Sequence, residues 1–439
     1  MDASNTNPHI VIVGGGVAGL EMATALGRQS QRQRAAQRPA PIITLIDKDS
    51  AHVWKPMLHT IAAGTSDVFQ QQTPFVAQAR QAGFSYQPGE LCGLNRAARE
   101  IEIAALHAAD GRLLVPARQL RYDALAVAIG SQANDFRTPG VAEHCFKIDS
   151  RQQAVAFNQE VRLRMLQALA QDTELSIAIV GGGATGVELA AELVQLVESA
   201  VGYGANTLND RLSITLIENG ARLLAAFPED IAAATRSRLE SLGVKVMTGT
   251  RVSAATEAAF ILGEGGEVPA TLKVWAAGVK APDFLQDLDG LESSRGNQLV
   301  VTPTLHCTRD ERIYAIGDCA SLCLPGSERP LPPTAQVAHQ QAQHLIRHLP
   351  ARLTQGTPIP DFQYRDFGAL VSLGDYDAFG SLGKFGLFKG VTLRGKLAQL
   401  SHVMLYRSHQ ARLHGFVRGS LLWLVDQLNA RVRASIRLD

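Results

Sequence analysis

Two stretches of this chain carry the same punctuation. His9 to Leu20 reads H-I-V-I-V-G-G-G-V-A-G-L, and Ser176 to Gly186 reads S-I-A-I-V-G-G-G-A-T-G. In each, a short β-branched run enters a glycine turn and a helical pattern follows, Glu21 to Leu26 in the first and Val187 to Leu193 in the second. Gly14, Gly16 and Gly19 fit G-x-G-x-x-G, and so do Gly181, Gly183 and Gly186. In that spacing the first glycine permits a tight turn. The second lets the backbone approach a pyrophosphate, and the third lets helix and strand pack closely. The helix N-terminus then faces the phosphates with its unpaired N–H groups and partial positive charge. Gly15, Val17 and Ala18 complete the first turn; Ala184 and Thr185 complete the second.

A strand ending in a ribose-holding acid should follow each turn. Ile42-Ile-Thr-Leu-Ile-Asp47 and Leu212-Ser-Ile-Thr-Leu-Ile-Glu218 both qualify. The first interval is longer than the usual spacing of about 20 residues. The excess lies in the polar stretch Arg28 to Pro41, which reads as an extended helix end and loop. One such turn is weak evidence. Two full copies, each with strand, helix and distal acid, set aside the reading as an unrelated glycine turn.

The expected fold class is therefore α/β, with two Rossmann-like dinucleotide-binding domains. With 439 residues the chain exceeds one ordinary core. Expected boundaries are 1–145 and 286–390 for a discontinuous first domain, 146–285 for an inserted second, and 391–439 for a C-terminal segment. A net charge of +1 offers no global attraction for nucleic acid. Cys92, Cys145, Cys307, Cys319 and Cys323 are scattered and odd in number, which argues against a disulfide framework and for a reducing compartment. The polar N-terminus lacks the features of a signal peptide. No apolar run reaches the roughly 18 residues of a spanning helix, so membrane contact should be peripheral. No zinc-type ligand spacing is present, and no metal is expected.

Two dinucleotide folds in one chain point to FAD and a nicotinamide coenzyme, because hydride must pass between two rings. Three further strands end in glycine: Tyr122 to Ser131, Thr271 to Gly278, and Ile313 to Asp318. A carboxylate at Glu218 accepts from both ribose hydroxyls of NAD and repels the 2′-phosphate of NADP, so NADH is the expected donor.

At this point the chain resembles the two-dinucleotide flavin reductases and, within them, the type 2 NADH:quinone dehydrogenases, closest to the proteobacterial members. The segments that carry the resemblance begin with His52-Val-Trp-Lys-Pro-Met-Leu-His59 and Ala62-Ala-Gly64. Ala226 to Asp230, Trp275 to Phe284, Pro333 to Gln341 and Tyr406 to Gly415 complete them. It runs from about residue 9 to the end, and the chief departure is Arg28 to Pro41. The resemblance implies bound FAD on the first turn, with Asp47, Lys48, Trp54, Lys55, Pro56, Gly130, Gly317, Asp318, Ala335 and Gln336 around it. It implies NADH on the second turn, with Glu188, Glu218, Ala277 and Gly278. It also implies that Gln336 and Gln340 border a quinone site.

Pro332 and Pro333 ahead of Thr334-Ala-Gln-Val-Ala-His read as a helix start, with proline fixing the first turn and the helix aimed at the flavin. Gln336, His339 and Gln340 then share one face. His339 could relay protons, titrating near neutrality; a solvated polar face is the plain alternative. Glu188 near the start of its helix could influence hydride transfer or proton balance, or could simply be stabilised by the helix dipole. Cys319 and Cys323 read as inert thiols.

From Gly374 to Gly395 the glycines suggest twisted strands or a hairpin closing the FAD domain. Beyond it Leu397, Leu400, Met404 and Leu405 share a helical face, and Leu421, Leu422, Trp423, Leu424 and Val425 follow. Arg407, Arg412, Arg418, Arg431, Arg433 and Arg437 interleave, against Asp426 and Asp439. A cationic apolar segment with a tryptophan suits an interfacial anchor. A helix pair packed on the body, or a homodimer interface, competes with it. The expected setting is the cytoplasmic face of a bacterial inner membrane. The alternatives are a soluble NADH reductase for a protein acceptor such as a ferredoxin, and a flavin-binding redox sensor.

Overall fold

A computed structural model describes residues 7–108, 110–202, 205, 207–374, 376–382 and 392–432. The strands that matter are β1 (His9–Val13), β2 (Ile42–Asp47), β3 (Ser85–Pro88), β4 (Ala124–Val127), β5 (Leu175–Val180), β6 (Leu212–Ile217), β7 (Lys245–Met247), β8 (Leu272–Trp275), β9 (His306–Cys307), β10 (Asp310–Ala315), β11 (Gly368–Ser372), β12 (Ala378–Leu382) and β13 (Thr392–Arg394). The helices are α1 (Val17–Ala35), α2 (Leu58–Ala63), α3 (Arg151–Gln171), α4 (Ala184–Gly202), α5 (Ala335–Gln355), α6 (Lys396–His414) and α7 (Phe416–Val432).

The chain divides into two compact units. The first takes the chain up to Trp54, Gln72–Gln132 and Lys280–Tyr364; the second takes Lys55–Gln71, Ala133–Val279 and the chain from Arg365. In the first unit the sheet order is β9-β10-β4-β1-β2-β3. From β10 to β3 every pairing is parallel, and only the β9 edge is antiparallel. Ile10, Val11 and Ile12 of β1 are fully buried, as in a parallel strand covered on both faces. Helix α1 continues to Ala35 before the loop into β2, so the polar excess after Arg28 is partly helix.

The second unit repeats the device with a parallel sheet, β7-β6-β5-β8. Helix α2 packs on α3 and α4 in this unit. The glycine-rich region supplies an antiparallel sheet, β11-β12-β13. It packs in the second unit and does not close the first. The Ser372 N–H donates to Glu188, the Tyr376 hydroxyl donates to Glu198, and Arg394 pairs with Asp230 at 2.9 Å. The middle of this region, 383–391, lies outside the described residues.

Helices α6 and α7 invert the usual pattern of a surface helix. Tyr406, His409, Gln410 and Leu413 of α6 are buried, whereas Leu400, Val403, Met404 and Leu405 are exposed. On α7, Phe416, Val417, Leu421, Leu422, Trp423, Leu424, Val425 and Leu428 are all exposed. Arg407 is not a free surface cation: it pairs with Asp426 at 2.7 Å and donates to Gln410, tying α6 to α7. Arg412 donates to Ser408, and Arg418 is exposed. Arg433, Arg437 and Asp439 lie outside the described residues, as do the side chains of Leu397 and Arg431. Among the described residues no helix is long and apolar enough to cross a membrane.

Candidate functional site

The two glycine turns divide their glycines by task. Gly14 has a φ of +101°, and a Cβ there would overlap the Ala128 carbonyl. A Cβ on Gly19 would overlap the Gly14 carbonyl. These glycines are required by the chain's own packing. Gly16 is exposed, and a Cβ there would meet nothing within 4 Å. Its lack of a side chain leaves the backbone open to a group arriving from outside. The second turn repeats this: side chains at Gly181 and Gly186 would strike backbone, whereas Gly183 is exposed and meets nothing within 4 Å. Neither α1 nor α4 has an acid in its first turn, so the helix residues themselves place no negative charge against an anion there. Val17 and Ala18 are buried in the first turn of α1, while Ala184 and Thr185 stay accessible on α4.

Both distal acids brace their turns. Asp47 accepts from the backbone N–H groups of Gly15 and Asp49, and burial pushes its carboxyl up. Glu218 accepts from the N–H of Gly182 at 2.6 Å and from that of Gly220. His52, buried, donates its Nδ1–H to the Gly15 carbonyl at 2.8 Å, which fixes its tautomer. Lys48 turns to the surface and pairs with Glu90 at 2.7 Å. The Trp54 indole is buried, and Lys55 and Pro56 are half-buried at the start of a short 3₁₀ turn.

Within the first unit, the ends of β4 and β10 come together. Ser131, next to Gly130, donates its hydroxyl to Asp318 at 2.7 Å. The Gly317 N–H donates to Gln341 Oε1 at 2.7 Å, and Gln298 donates to the Asp318 carbonyl at 3.0 Å. Gln341 is 1% exposed, so α5 fixes the Gly-Asp turn through a buried amide. Cys319 is buried and its thiol is pushed up to about 11 by burial, the state of an inert thiol; Cys323 is exposed.

Helix α5 begins one step later than its prolines suggest. Thr334 is the N-cap and accepts from the Val337 N–H at 3.3 Å, so Pro332 and Pro333 precede the helix and do not form its first turn. Ala335, Gln336 and Gln340 are half-buried. His339 places Nδ1 2.6 Å from Glu21 of α1, whose side chain is 1% exposed.

In the second unit, Ala277 and Gly278 follow β8, and the Asn134 N–H donates to the Gly278 carbonyl at 2.9 Å. The Trp275 indole N–H donates to the Asn134 carbonyl at 2.8 Å. Glu188 is the fifth residue of α4 and is buried. Its carboxyl is pushed up to about 8 by burial, against the lowering effect of the Ser372 N–H bond, and Glu192 adds like charge. The dipole stabilisation expected from the sequence is therefore outweighed by desolvation. His59 of α2, also buried, has Nδ1 3.3 Å from Glu188 Oε2. Thr65 donates to Glu192. Glu21, His59, Ser131, Gln341 and Ser372 are contributions that sequence motifs do not single out.

Comparison with known proteins agrees with this geometry. The model of the pyridine nucleotide-disulphide oxidoreductase family matches residues 8–342. The type II NADH:quinone oxidoreductase of Haemophilus influenzae is 41% identical over 98% of this chain and 99% of its own length. That of Staphylococcus aureus is 28% identical over 84% of this chain and 89% of its own. NDH2 from Plasmodium falciparum in complex with NADH shares the fold, with a TM-score of 0.82 and 19% identity over 99% of this chain and 100% of that one. With two nucleotide turns of one design and a full-length relative at that identity, this chain belongs to the pyridine nucleotide-disulphide oxidoreductase family and, within it, to the type II NADH:quinone oxidoreductases.

Proposed function

We propose that this chain oxidises NADH at the second turn, reduces FAD at the first, and passes the electrons to a quinone drawn from a membrane surface. The observation that carries the reading is the paired exposure of Gly16 and Gly183, each at the head of a helix without a first-turn acid. When bound, FAD supplies the chemistry, taking a hydride and giving up two electrons.

The chain's own residues bind, orient and exclude water. The N–H groups at the heads of α1 and α4 hold pyrophosphates. Asp47 and Glu218 serve the riboses, and Glu218 selects NADH over its phosphorylated counterpart. Gly130, Gly317 and Asp318 would hold the ribityl side of the flavin, and Trp54, Lys55 and Pro56 would supply further contacts to it. Ala335 and Gln336, at the α5 N-terminus, would also hold the flavin, and the partial positive charge of that helix end would favour its reduced state. Gln336 and Gln340 offer amide N–H groups to the quinone carbonyls. The first compact unit is assigned to FAD and the second to NADH, with the chain from 391 as the membrane segment.

The exposed apolar faces of α6 and α7 support docking on a lipid surface, with the cytoplasmic face of a bacterial inner membrane as the setting. The test is the triple substitution Leu421→Ser, Trp423→Ser and Leu424→Ser. All three side chains are exposed, so folding should be unaffected. Each loses roughly 1–2 kcal/mol of interfacial burial, so the vesicle partition coefficient should fall at least about 100-fold. Turnover of NADH with a short-chain, water-soluble quinone should persist. Unchanged partitioning would defeat the membrane reading. Turnover with a ferredoxin and none with quinones would defeat the acceptor.

A further inference from the structure

Glu21 is the fifth residue of α1, the helix whose N-terminus faces the first phosphate site. It is a carboxylate on the inner side of a core helix, 2% exposed. A buried carboxylate is destabilising unless it is paired and hydrogen-bonded. Two side chains of α5 answer it. His339 puts Nδ1 2.6 Å from Glu21 Oε2, and Gln343 donates to the same oxygen at 3.4 Å.

His339 and Gln343 stand one helical turn apart and flank the buried stripe of Val337, Ala338, Gln341 and Ala342. Gln341 of that stripe holds the Gly317 N–H. The N-terminal half of α5 is thus pinned at two places within the first unit, on α1 and on the Gly-Asp turn. Gln336 and Gln340 of the same helix are half-buried.

We propose that Glu21 and His339 form a positioning clamp that sets α5 on the phosphate-binding helix, and that His339 is not the proton carrier for quinone reduction. A buried carboxylate on Nδ1 holds the imidazole in one orientation, and the proposal is that this orientation, rather than proton transfer through Nε2, is its task. The clamp links the helix that receives the FAD pyrophosphate to the helix that carries Gln336 and Gln340. It rests on the reading above that this face of α5 borders the quinone.

The discriminating variant is His339→Gln. It retains an N–H donor for Glu21 but does not titrate near neutrality. His339→Ala retains neither property. The clamp predicts that His339→Gln keeps at least about half of the wild-type kcat with quinone and an unaltered pH–rate profile, whereas His339→Ala raises the quinone KM about tenfold, the worth of one charge-assisted hydrogen bond. FAD retention on dilution and the thermal midpoint should fall in the alanine variant and hold in the glutamine one. If His339→Ala does not accumulate, the double variant Glu21→Leu with His339→Leu removes both polar groups and should recover folded, yellow protein. Equal loss of turnover in His339→Gln and His339→Ala, with an altered pH profile, would overturn the clamp in favour of proton relay. Wild-type KM, FAD retention and midpoint in His339→Ala would overturn it outright. Gln336→Ala tests the quinone reading separately: an unchanged quinone KM there removes that reading, and FAD retention and the midpoint still decide the clamp.

Discussion

Gly183→Val should give a yellow, folded enzyme that NADH no longer reduces efficiently. The physical reason is the division of labour within the turn. A Cβ at Gly183 meets nothing within 4 Å, so the substitution leaves the packing of β5 and α4 intact. What it obstructs is the approach of a pyrophosphate to the backbone N–H groups. Losing one or two charge-assisted hydrogen bonds, each worth about 1.5–3 kcal/mol, raises the NADH KM by about 10- to 10⁴-fold. FAD content is set by the other turn and should stay at the wild-type level. Gly186→Val is the contrasting control. Its side chain would strike the Gly181 carbonyl, so the thermal midpoint should fall together with NADH use. Stopped-flow bleaching of the flavin by NADH, read beside the midpoint, separates the two. An unchanged NADH KM in Gly183→Val would remove the second turn from the coenzyme site. Gly16→Val is the counterpart on the first turn and should purify colourless, its apoprotein otherwise folded.

The features legible in the sequence are local ones. The glycines, the β-branched strands and the distal acids lie within short windows, and the physics that selects them acts over those windows. The Gly317-Asp318 turn is equally readable, as a strand end. The contacts that decide protonation and helix placement are not. Glu21 and His339 are 318 positions apart, and Glu188 meets Ser372 across 184. Nothing in V-A-G-L-E marks Glu21 as a buried anion. For Glu188 the sequence leaves a dipole-stabilised carboxylate and a group acting on hydride transfer or proton balance side by side, because the helix start is visible in it and the depth of burial is not. Thr334 displaces the prolines as the start of α5 because a hydroxyl that accepts an N–H is a better cap than a ring that only fixes φ. The apolar run of α7 is visible in the sequence, but that the apolar side of α6 faces outward follows only from the burial of Tyr406, His409 and Gln410.

Glu188→Gln should abolish an alkaline loss of stability and of turnover. In the folded protein the Glu188 carboxyl is pushed up to about 8, chiefly by burial. An unfolded glutamate titrates near about 4.3. Between those values the folded state holds one more proton than the unfolded state. The stabilisation from this raised value is complete below about pH 4.3, erodes as pH rises, and is gone above about pH 8. Glutamine cannot ionise, so the variant lacks this slope. Its thermal midpoint should exceed the wild type's by at least about 4 °C at about pH 9 and approach parity near pH 5. The groups facing Glu188 are His59 from α2, Glu192 on its own helix with Thr65 bonded to it, and the Ser372 N–H from β11. None of these is altered by the substitution. Turnover carries the second readout. NADH, one proton and a quinone give NAD⁺ and the quinol, so each cycle takes one proton from the medium. A carboxyl neutral at pH 7 beside His59 is suited to holding that proton. With quinone, wild-type kcat should fall above about pH 8, and Glu188→Gln should lower kcat at pH 7 by about 10²-fold and remove that limb. Reduction of the flavin by NADH in a single turnover should survive. A variant whose midpoint falls with pH as steeply as the wild type's would show that Glu188 is ionised at neutrality, and the proton role would go with it.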